Sequence, residues 1–483
     1  MTWRDQSILD DLTLLILLGL MLAAAVMAAG HALLHKRDPR SALVWVSLSL
    51  TIPVFGPLLY WLLGINRISR RAHYLHKNEH RPDFQELYSS TTFLSTRLPD
   101  AYQGLQNLES LSDRLVRTRT NFGNRLVLLT NGEETYPAML DAIDRASHSI
   151  HLSSYIFDGN QTGGQFVTAL AAAVKRGVAV RVIVDAMGER YSTVTARTAL
   201  SGSGVDIRHY LPLYKGPFIN LRNHRKLLLV DGAIGFTGGM NIRSNHCVSV
   251  TDISQAASDL HFLVQGPVLR DLQRIFLEDW YFVSGQRLDD PLYFPLLKPC
   301  GTAFVRAIAD GPDREFRKLE WIVMGALAVA RHRVRIMTPY FIPDRSMVTA
   351  LITAALRGVE VTLILPQLNN LPFVAWASRA SYWELIKNGV KILEQPAPFA
   401  HTKLFLVDDL WSLIGSANLD TRSFRLNFEL NLSIFDQNFS SELSNHFEQI
   451  QTTSSIITLE DMDNRPLAIK LRDSAARLFT PYL

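Results

Sequence analysis

The chain has 483 residues, 49 Lys and Arg against 45 Asp and Glu, and a formal net charge of +4. That length exceeds one ordinary hydrophobic core and implies two globular units or one large duplicated unit. The mild basic excess suits an anionic partner without choosing one. The two cysteines, Cys247 and Cys300, have no metal-ligand spacing, so they exclude a disulfide framework and a zinc cluster and are read as free core thiols.

Leu12 to Leu34 contains no Asp, Glu, Lys or Arg. At about 1.5 Å per residue such a helix crosses a hydrocarbon core of about 30 Å. The segment "HKRDPR" follows, and Ala42 to Gly64 is a second uncharged stretch. Two long tracts do not make a signal peptide, so residues 1–66 are expected to form a transmembrane helical hairpin and the protein to be multi-pass. Pro53, Gly56 and Pro57 mark a place for a kink or re-entrant turn; an ordinary tilted span is the expectation, since membrane helices tolerate both residue types. Lys36, Arg37 and Arg40 lie in the turn, and Arg67, Arg70, Arg71 and Lys77 follow the second tract. The larger second cluster favours a cytoplasmic main domain on an inner (plasma) membrane.

Residues 67–120 are polar and read as a juxtamembrane connector. Strand and helix signals then alternate. "RLVLLTNG" is a strand entering a turn; "YPAMLDAIDRASHSI" places Met139, Leu140, Ile143 and Ala146 on one helical face. "SIHLSSYIF" is a strand, "FVTALAAAVKRGV" a helix stopped by Gly177, and "VAVRVIVD" a strand. Alternation of this kind predicts an α/β fold. The order then repeats. "ALITAALRGVEVTLILP" parallels "ALAAAVKRGVAVRVIVD", matching Arg357-Gly358-Val359 to Arg176-Gly177-Val178. An internal duplication gives two pseudo-symmetric lobes, 121–290 and 291–483, able to share one cleft.

Each repeat carries one motif. "HRKLLLVD" runs from His224 to Asp231 and "HTKLFLVD" from His401 to Asp408, 177 residues later. Strand alternation puts His224 and Lys226 on one face, and His401 and Lys403 likewise. Asp231 and Asp408 fall on the other face at the strand end, where they are expected to fix the following turn. Gly238 and Gly415 each lie 14 residues after their histidine, and Asn241 and Asn418 each lie 17 after. A return strand brings each amide back beside its histidine and lysine. One such motif is weak; two with matched glycines and asparagines are strong.

Two sets of imidazole, ammonium and amide suit phosphoryl transfer. Lys226, Lys403, Asn241 and Asn418 offer donors to the non-bridging oxygens of a phosphodiester, and the lysines stabilise charge growing on phosphorus. A neutral histidine can attack phosphorus while a protonated one donates to the leaving alkoxide. The intermediate is a phosphohistidine, and neither metal nor other cofactor is required. Both histidines need orienting carboxylates. Glu429 lies 28 residues after His401 and Asp259 35 after His224, each within an apolar strand where an unpaired carboxylate is costly. Asp252 rivals Asp259 on spacing. His148, His209 and His332 are read as solvated.

The paired motifs resemble those of the phospholipase D superfamily, over about residues 120–483. Supporting stretches are "YIFDGNQTGGQF", "GVAVRVIVDAMG", "NHRKLLLVDGAIGFTGGMN" and "TPYFIPD", together with "HTKLFLVDDLWSLIGSANLDTRSFRLNFEL". With the N-terminal hairpin, the chain is most similar to bacterial cardiolipin synthases. That resemblance implies phosphatidyl transfer from one phosphatidylglycerol to another, releasing glycerol. It makes His224, Lys226 and Asp231 with His401, Lys403 and Asp408 the catalytic motifs, and His224 the nucleophile. It also implies that the acids act across the lobes, Glu429 on His224 and Asp259 on His401. The expected partners are anionic phospholipid and the bilayer, not nucleic acid. A phospholipase D-type hydrolase, a membrane-tethered nuclease, transfer from phosphatidylethanolamine and a non-enzymatic lipid-binding scaffold are the alternatives. "IRSNHCVSVTD", after Asn241, departs from the synthase pattern, which expects a more acidic, glycine-bearing run there; this bears on acceptor choice.

Overall fold

The structure is a computed structural model that describes residues 3–36, 38–65, 100–211, 221–312 and 317–480. Arg37, the basic cluster Arg67, Arg70, Arg71 and Lys77, and the connector up to residue 99 lie outside these residues. The chain divides into two compact units, Met1–Leu75 and His76–Leu483.

The first unit is helical. Its helix Trp3–His35 contains the apolar stretch Leu12–His35, the single helix among the described residues long and apolar enough to cross a membrane. Asp38 caps the next helix, Pro39–Thr51, by accepting from the backbone N–H of Arg40 and Ser41, with Pro39 at the first turn where no N–H is missed. The second apolar tract is not the ordinary span expected. It breaks after Thr51 and resumes as the short helix Phe55–Leu59, ending in a π-turn at Tyr60–Gly64. Pro53 and Pro57 lack the N–H that would continue the ladder. At Gly56 a Cβ would lie 2.2 Å from the Leu48 carbonyl oxygen, so only glycine fits that bend. Within the unit a seam of small residues, Ala25, Ala29, Ala32, Ala42, Ser49 and Gly56, is buried, while Leu14, Leu15, Leu20 and Leu22 face outward. Close backbone approach through small residues with leucines outside is the packing used between helices in lipid.

The second unit is a mixed α/β structure built on one large sheet. Its first half contributes β1 (Asn121–Thr130), β2 (Ser149–Ser154), β3 (Ala179–Asp185), β4 (Asp206–Tyr210), β5 (Leu227–Val230), β6 (Ile234–Gly238) and β7 (Leu260–Gln265). Its second half contributes β8 (Ala303–Asp310), β9 (Arg333–Met337), β10 (Glu360–Pro366), β11 (Lys391–Gln395), β12 (Leu404–Val407), β13 (Trp411–Gly415) and β14 (Asn427–Phe435). The spatial order is β4-β3-β2-β5-β6-β7-β1, then β8-β14-β13-β12-β9-β10-β11. Each first-half strand thus has its counterpart seven numbers on, and β1 and β8 pair antiparallel at the junction.

The duplication extends to the helix stops. The helix Gln161–Lys175 ends at Gly177 (φ +89°) and the helix Arg345–Leu356 at Gly358 (φ +88°). A left-handed residue there costs glycine nothing. Arg176 and Arg357, just before them, each donate to a carbonyl of the preceding helix segment, Ile143 and Leu327, at 2.8 and 2.7 Å. The helix predicted around Met139 begins earlier, at Asn131 directly after β1, and buries Met139, Ala142, Ile143 and Tyr136. Each half has its own core, one around Leu152, Phe166, Leu170 and Phe236, the other around Ile336, Leu351, Leu363 and Trp411. Truncating a side chain as buried as Leu170 to alanine costs about 2–5 kcal/mol.

Cys247 and Cys300 are not the core thiols expected. Cys247 is half-buried and Cys300 exposed, because both lie in loops rather than on the packed faces of strands or helices.

Candidate active site

Both motifs stand at the open end of a β-hairpin. β5 and β6 pair antiparallel, as do β12 and β13, each closed by a tight turn. Asp231 and Gly232 in the first turn (231–233), and Asp408 and Asp409 in the second (408–410), have positive φ, which lets three residues reverse the chain between the paired strands. Asp231 accepts from the backbone N–H of Ser147, His148 and Ser149 at 2.8–2.9 Å. Asp408 accepts from Arg331, His332 and Arg333 at 2.7–2.9 Å. The third member of each motif therefore ties its hairpin to the start of a neighbouring strand and does not hydrogen-bond the histidine or lysine.

His224 and His401 sit at the other end of β5 and β12. Their Nδ1 atoms face carboxylates from the opposite half. His224 Nδ1 lies 3.1 Å from Glu429 Oε2 on β14 and 3.1 Å from the Ser416 carbonyl oxygen. His401 Nδ1 lies 2.6 Å from Asp259 Oδ2, just before β7. Glu429 and Asp259 are wholly buried. Burial alone would raise both acids, but His224 and Lys226 hold Glu429 below its usual range, and Lys403 and His401 hold Asp259 down to about 2. An ionised carboxylate can only accept, so each Nδ1 carries the proton and each Nε2 holds the free lone pair. Burial lowers His224, with Lys226 adding to the effect, and pushes His401 to about 3, with Lys403 next in importance. Both rings are neutral at pH 7.

The lysines differ from expectation in one respect. Lys226 and Lys403 are buried and are not among the residues lining the cleft that the histidines face. Lys226 Nζ donates to the His224 carbonyl at 2.8 Å, and Lys403 Nζ to the His401 carbonyl. Burial brings Lys226 down to about 7 and Lys403 to about 8. Both are near-titrating charges in a low-dielectric site, each held on the carbonyl of its own histidine.

The return strands end at Gly238 and Gly415 (φ +151° and +150°), where a Cβ would strike the neighbouring strand: 2.8 Å from Leu260 O and 2.3 Å from Leu430 O. The next residue meets the orienting acid. Ser416 Oγ donates to Glu429, while at Gly239 a Cβ would lie 2.5 Å from both Asp259 oxygens. Asn427 Nδ2 completes the hold on Glu429 at 3.0 Å. Gly239, Ser416 and Asn427 were missed in the sequence; the offset of one from the matched glycines was the available signal for the first two.

Asn241 and Asn418 line the same cleft as the histidines. Asn241 Oδ1 accepts from Ile156 N at 3.2 Å, leaving its NH2 end for the cleft. Each asparagine N–H donates to the side chain five residues on, but the acceptors differ: His246 Nε2 at 3.4 Å in the first half, Ser423 Oγ at 3.2 Å in the second. His246 is buried, donates from Nδ1 to Ala257 O at 3.2 Å, and stands 5.8 Å from His401, ring centre to ring centre. It comes from the "IRSNHCVSVTD" segment and lowers to about 4 through burial.

The cleft has a volume of about 450 Å³ and draws its lining from both halves, including His224, His401, Asn241, Asn418, Tyr155 and Tyr340. His246, Asp259 and His401 present ligand atoms within 4.8 Å of one another, a spacing a metal ion could use. Lys403 Nζ lies 2.9 Å from His401 Nδ1 and 3.8 Å from Asp259, so an ammonium already occupies that neighbourhood. The cluster fits proton handling better than cation binding.

The rival Asp252 accepts locally from Ser254 and is absent from the cleft lining. His148 is exposed, whereas His209, expected to be solvated, is part-buried against Glu189 at 2.5 Å because β4 carries it to that side chain.

Residues 139–280 and 323–451 match the family described as cardiolipin synthase, PLD-like domain, and residues 23–64 match the phospholipase D-nuclease N-terminal family. A cardiolipin synthase of Geobacillus kaustophilus is 32% identical over 475 residues, covering 96% of this chain and 93% of that one. Cardiolipin synthase 2 of Bacillus anthracis is 33% identical, covering 93% and 88%. The major cardiolipin synthase of Bacillus subtilis is 30% identical, covering 98% of each. The crystal structure of phosphatidylserine synthase from Haemophilus influenzae, 14% identical, superposes with a TM-score of 0.60 over 78% of this chain and 100% of that one, a likeness of fold.

Proposed function

The chain belongs to the cardiolipin synthase family of phospholipase D-like proteins, and from that premise we propose that it transfers a phosphatidyl group from one phosphatidylglycerol to a second, making cardiolipin and glycerol. The observation that carries this is the pair of imidazoles lining one cleft, each with Nδ1 held by a carboxylate from the other half.

In the first step His224 Nε2 attacks phosphorus. The N–P bond forms as the bond from phosphorus to the glycerol oxygen breaks, and His401, protonated at Nε2, gives its proton to that oxygen. In the second step His401 takes the proton from the hydroxyl of the second lipid, the new O–P bond forms, and the N–P bond breaks. His401 suits the proton-carrying role because its 2.6 Å contact with Asp259 stabilises an imidazolium as it forms. Burial first and Lys403 second hold His401 low; a substrate phosphate in the cleft would offset the ammonium's share and favour the imidazolium. Asn241 and Asn418 donate to the non-bridging oxygens, and Lys226 and Lys403 favour negative charge on phosphorus. Asp231 and Asp408 shape the hairpins that carry the motifs.

The apolar helix Leu12–His35 supports a position at a membrane, with that helix as anchor. Two crossings, a cytoplasmic position for the 121–290 and 291–483 lobes, and a linking role for 67–120 complete the proposal. The test is purified protein with phosphatidylglycerol alone. Cardiolipin and glycerol in equal amounts support it; phosphatidic acid as sole product assigns a hydrolase. Ethanolamine release on adding phosphatidylethanolamine would identify that lipid as a donor. His224→Ala or His401→Ala should each abolish turnover.

A further inference from the structure

Two arginines from opposite halves line the cleft outside the set of imidazoles and amides. Arg222 is two residues before His224, in a short strand Arg222–Asn223 that pairs in parallel with the start of β14 at Asn427–Phe428. Arg422 lies in the short helix Thr421–Arg425, which ends just before that same start. The two halves thus deliver their guanidiniums to one place. Each is half-buried, and the two repel: after burial, Arg222 is the strongest influence acting against the charge on Arg422.

Tyr155 ties the pair to the reaction. Its ring is 5.1 Å from His224, centre to centre, and it lies within electrostatic range of both arginines. Neither imidazole, by contrast, has a guanidinium among its main electrostatic neighbours; those are Glu429, Asp259, His246 and the two lysines. Arg222 and Arg422 nonetheless share the cleft with both rings. Asp185 and Asp420 lie within electrostatic range of Arg222 and Arg422 respectively. Asp185 accepts from the N–H of Met187, Gly188 and Asn223 at 2.7–2.9 Å. Asp420 accepts from Ser423 N at 2.6 Å and Asn418 Nδ2 at 3.4 Å.

Two like charges brought together in a part-buried cleft favour an anion between them, and a guanidinium fork matches phosphate oxygens. We infer that Arg222 and Arg422 form a second anion subsite, which holds the phosphodiester of the acceptor lipid while its free hydroxyl reaches the phosphohistidine. The inference rests on the phosphatidyl-transfer reading and names what makes the acceptor an anionic lipid rather than any alcohol. In the product a single glycerol bridges the two phosphates, so a second phosphate site must adjoin the first, as this one does.

Partitioning of one intermediate tests it. The enzyme in neutral detergent micelles is given phosphatidylglycerol and butan-1-ol, and cardiolipin and phosphatidylbutanol are measured together. Arg222→Gln and Arg422→Gln should each lower the cardiolipin-to-phosphatidylbutanol ratio at least about tenfold, the scale of a lost charge-assisted hydrogen bond. Arg422→Lys should recover part of the ratio. Parallel loss of both products, or an unchanged ratio, overturns the subsite. The wild-type enzyme gives an arm that needs no variant: with phosphatidylglycerol and monoacylglycerol as equimolar acceptors, it should favour the anionic one at least about tenfold, and equal use overturns the inference. A wild-type enzyme that makes phosphatidylbutanol but no cardiolipin refutes the transfer reading itself, and does so before any arginine is changed.

Discussion

Glu429→Gln isolates the orienting role of one carboxylate without changing its size. The wild-type side chain is wholly buried and accepts from His224 Nδ1, Ser416 Oγ and Asn427 Nδ2. A glutamine must place an oxygen or an NH2 against His224. With the oxygen inward, one charge-assisted bond becomes neutral, a loss of about 1.5 kcal/mol or more, near tenfold in rate. With the NH2 inward, Nδ1 becomes the acceptor and the proton moves to Nε2, removing the nucleophilic lone pair. The same exchange in serine-protease triads costs about 10⁴ in kcat, through the wrong tautomer. A fall of at least about tenfold in cardiolipin formation is expected, with KM for phosphatidylglycerol within a few-fold. Circular dichroism and melting temperature check the fold, because Ser416 and Asn427 lose a charged partner too. If the folded variant keeps more than half the wild-type rate between pH 6 and 8, Glu429 does not orient His224 and the cross-half arrangement is irrelevant to catalysis.

Gly239→Ala forces a methyl to within 2.5 Å of both Asp259 oxygens; displacement of the acid should cost about 1–3 kcal/mol of stability and lower turnover through His401, read by melting temperature and product assay. His246→Ser copies the partner of the other asparagine, Ser423, and should retain activity within a few-fold, whereas His246→Leu, which cannot accept from Asn241 N, should lose about tenfold; equal activity in both removes the positioning role. Acid should destabilise the fold through buried neutral histidines. His151, His261 and His401 are pushed to about 3 and His246 to about 4, mainly by burial. Their folded values lie below the unfolded value, so their contribution is complete above about pH 6.5 and is lost as pH falls toward 4 and 3. Asp185 and Asp420, raised to about 6 by burial, oppose this between pH 6 and 4 but are fewer. Melting temperature should therefore fall from pH 7 to pH 4, and a flat profile would contradict the neutral assignments.

The linear sequence determined the α/β alternation, the duplication and the two motifs, because each is a matter of short-range spacing. Helix stops at Gly177 and Gly358, and the hairpin geometry at Asp231 and Asp408, depend on a few bonds around one residue, so composition and period suffice to place them. The apolar tract Leu12–Leu34 was legible for the same reason; the break at Pro53 to Pro57 was legible as a position, but not as an outcome. The tertiary structure brings each carboxylate to its imidazole, a pairing the sequence offered only through family resemblance. Glu429 is 205 residues from His224 and Asp259 is 142 from His401. Such pairings follow from β1 meeting β8 at the sheet's centre, which no local pattern encodes. The burial of the lysines on the carbonyls of their own histidines, the unequal His246 and Ser423, and the meeting of Arg222 with Arg422 were fixed only by packing. Side chains are addressed by the three-dimensional neighbourhood in which a strand ends, and two strands can end together from any distance along the chain.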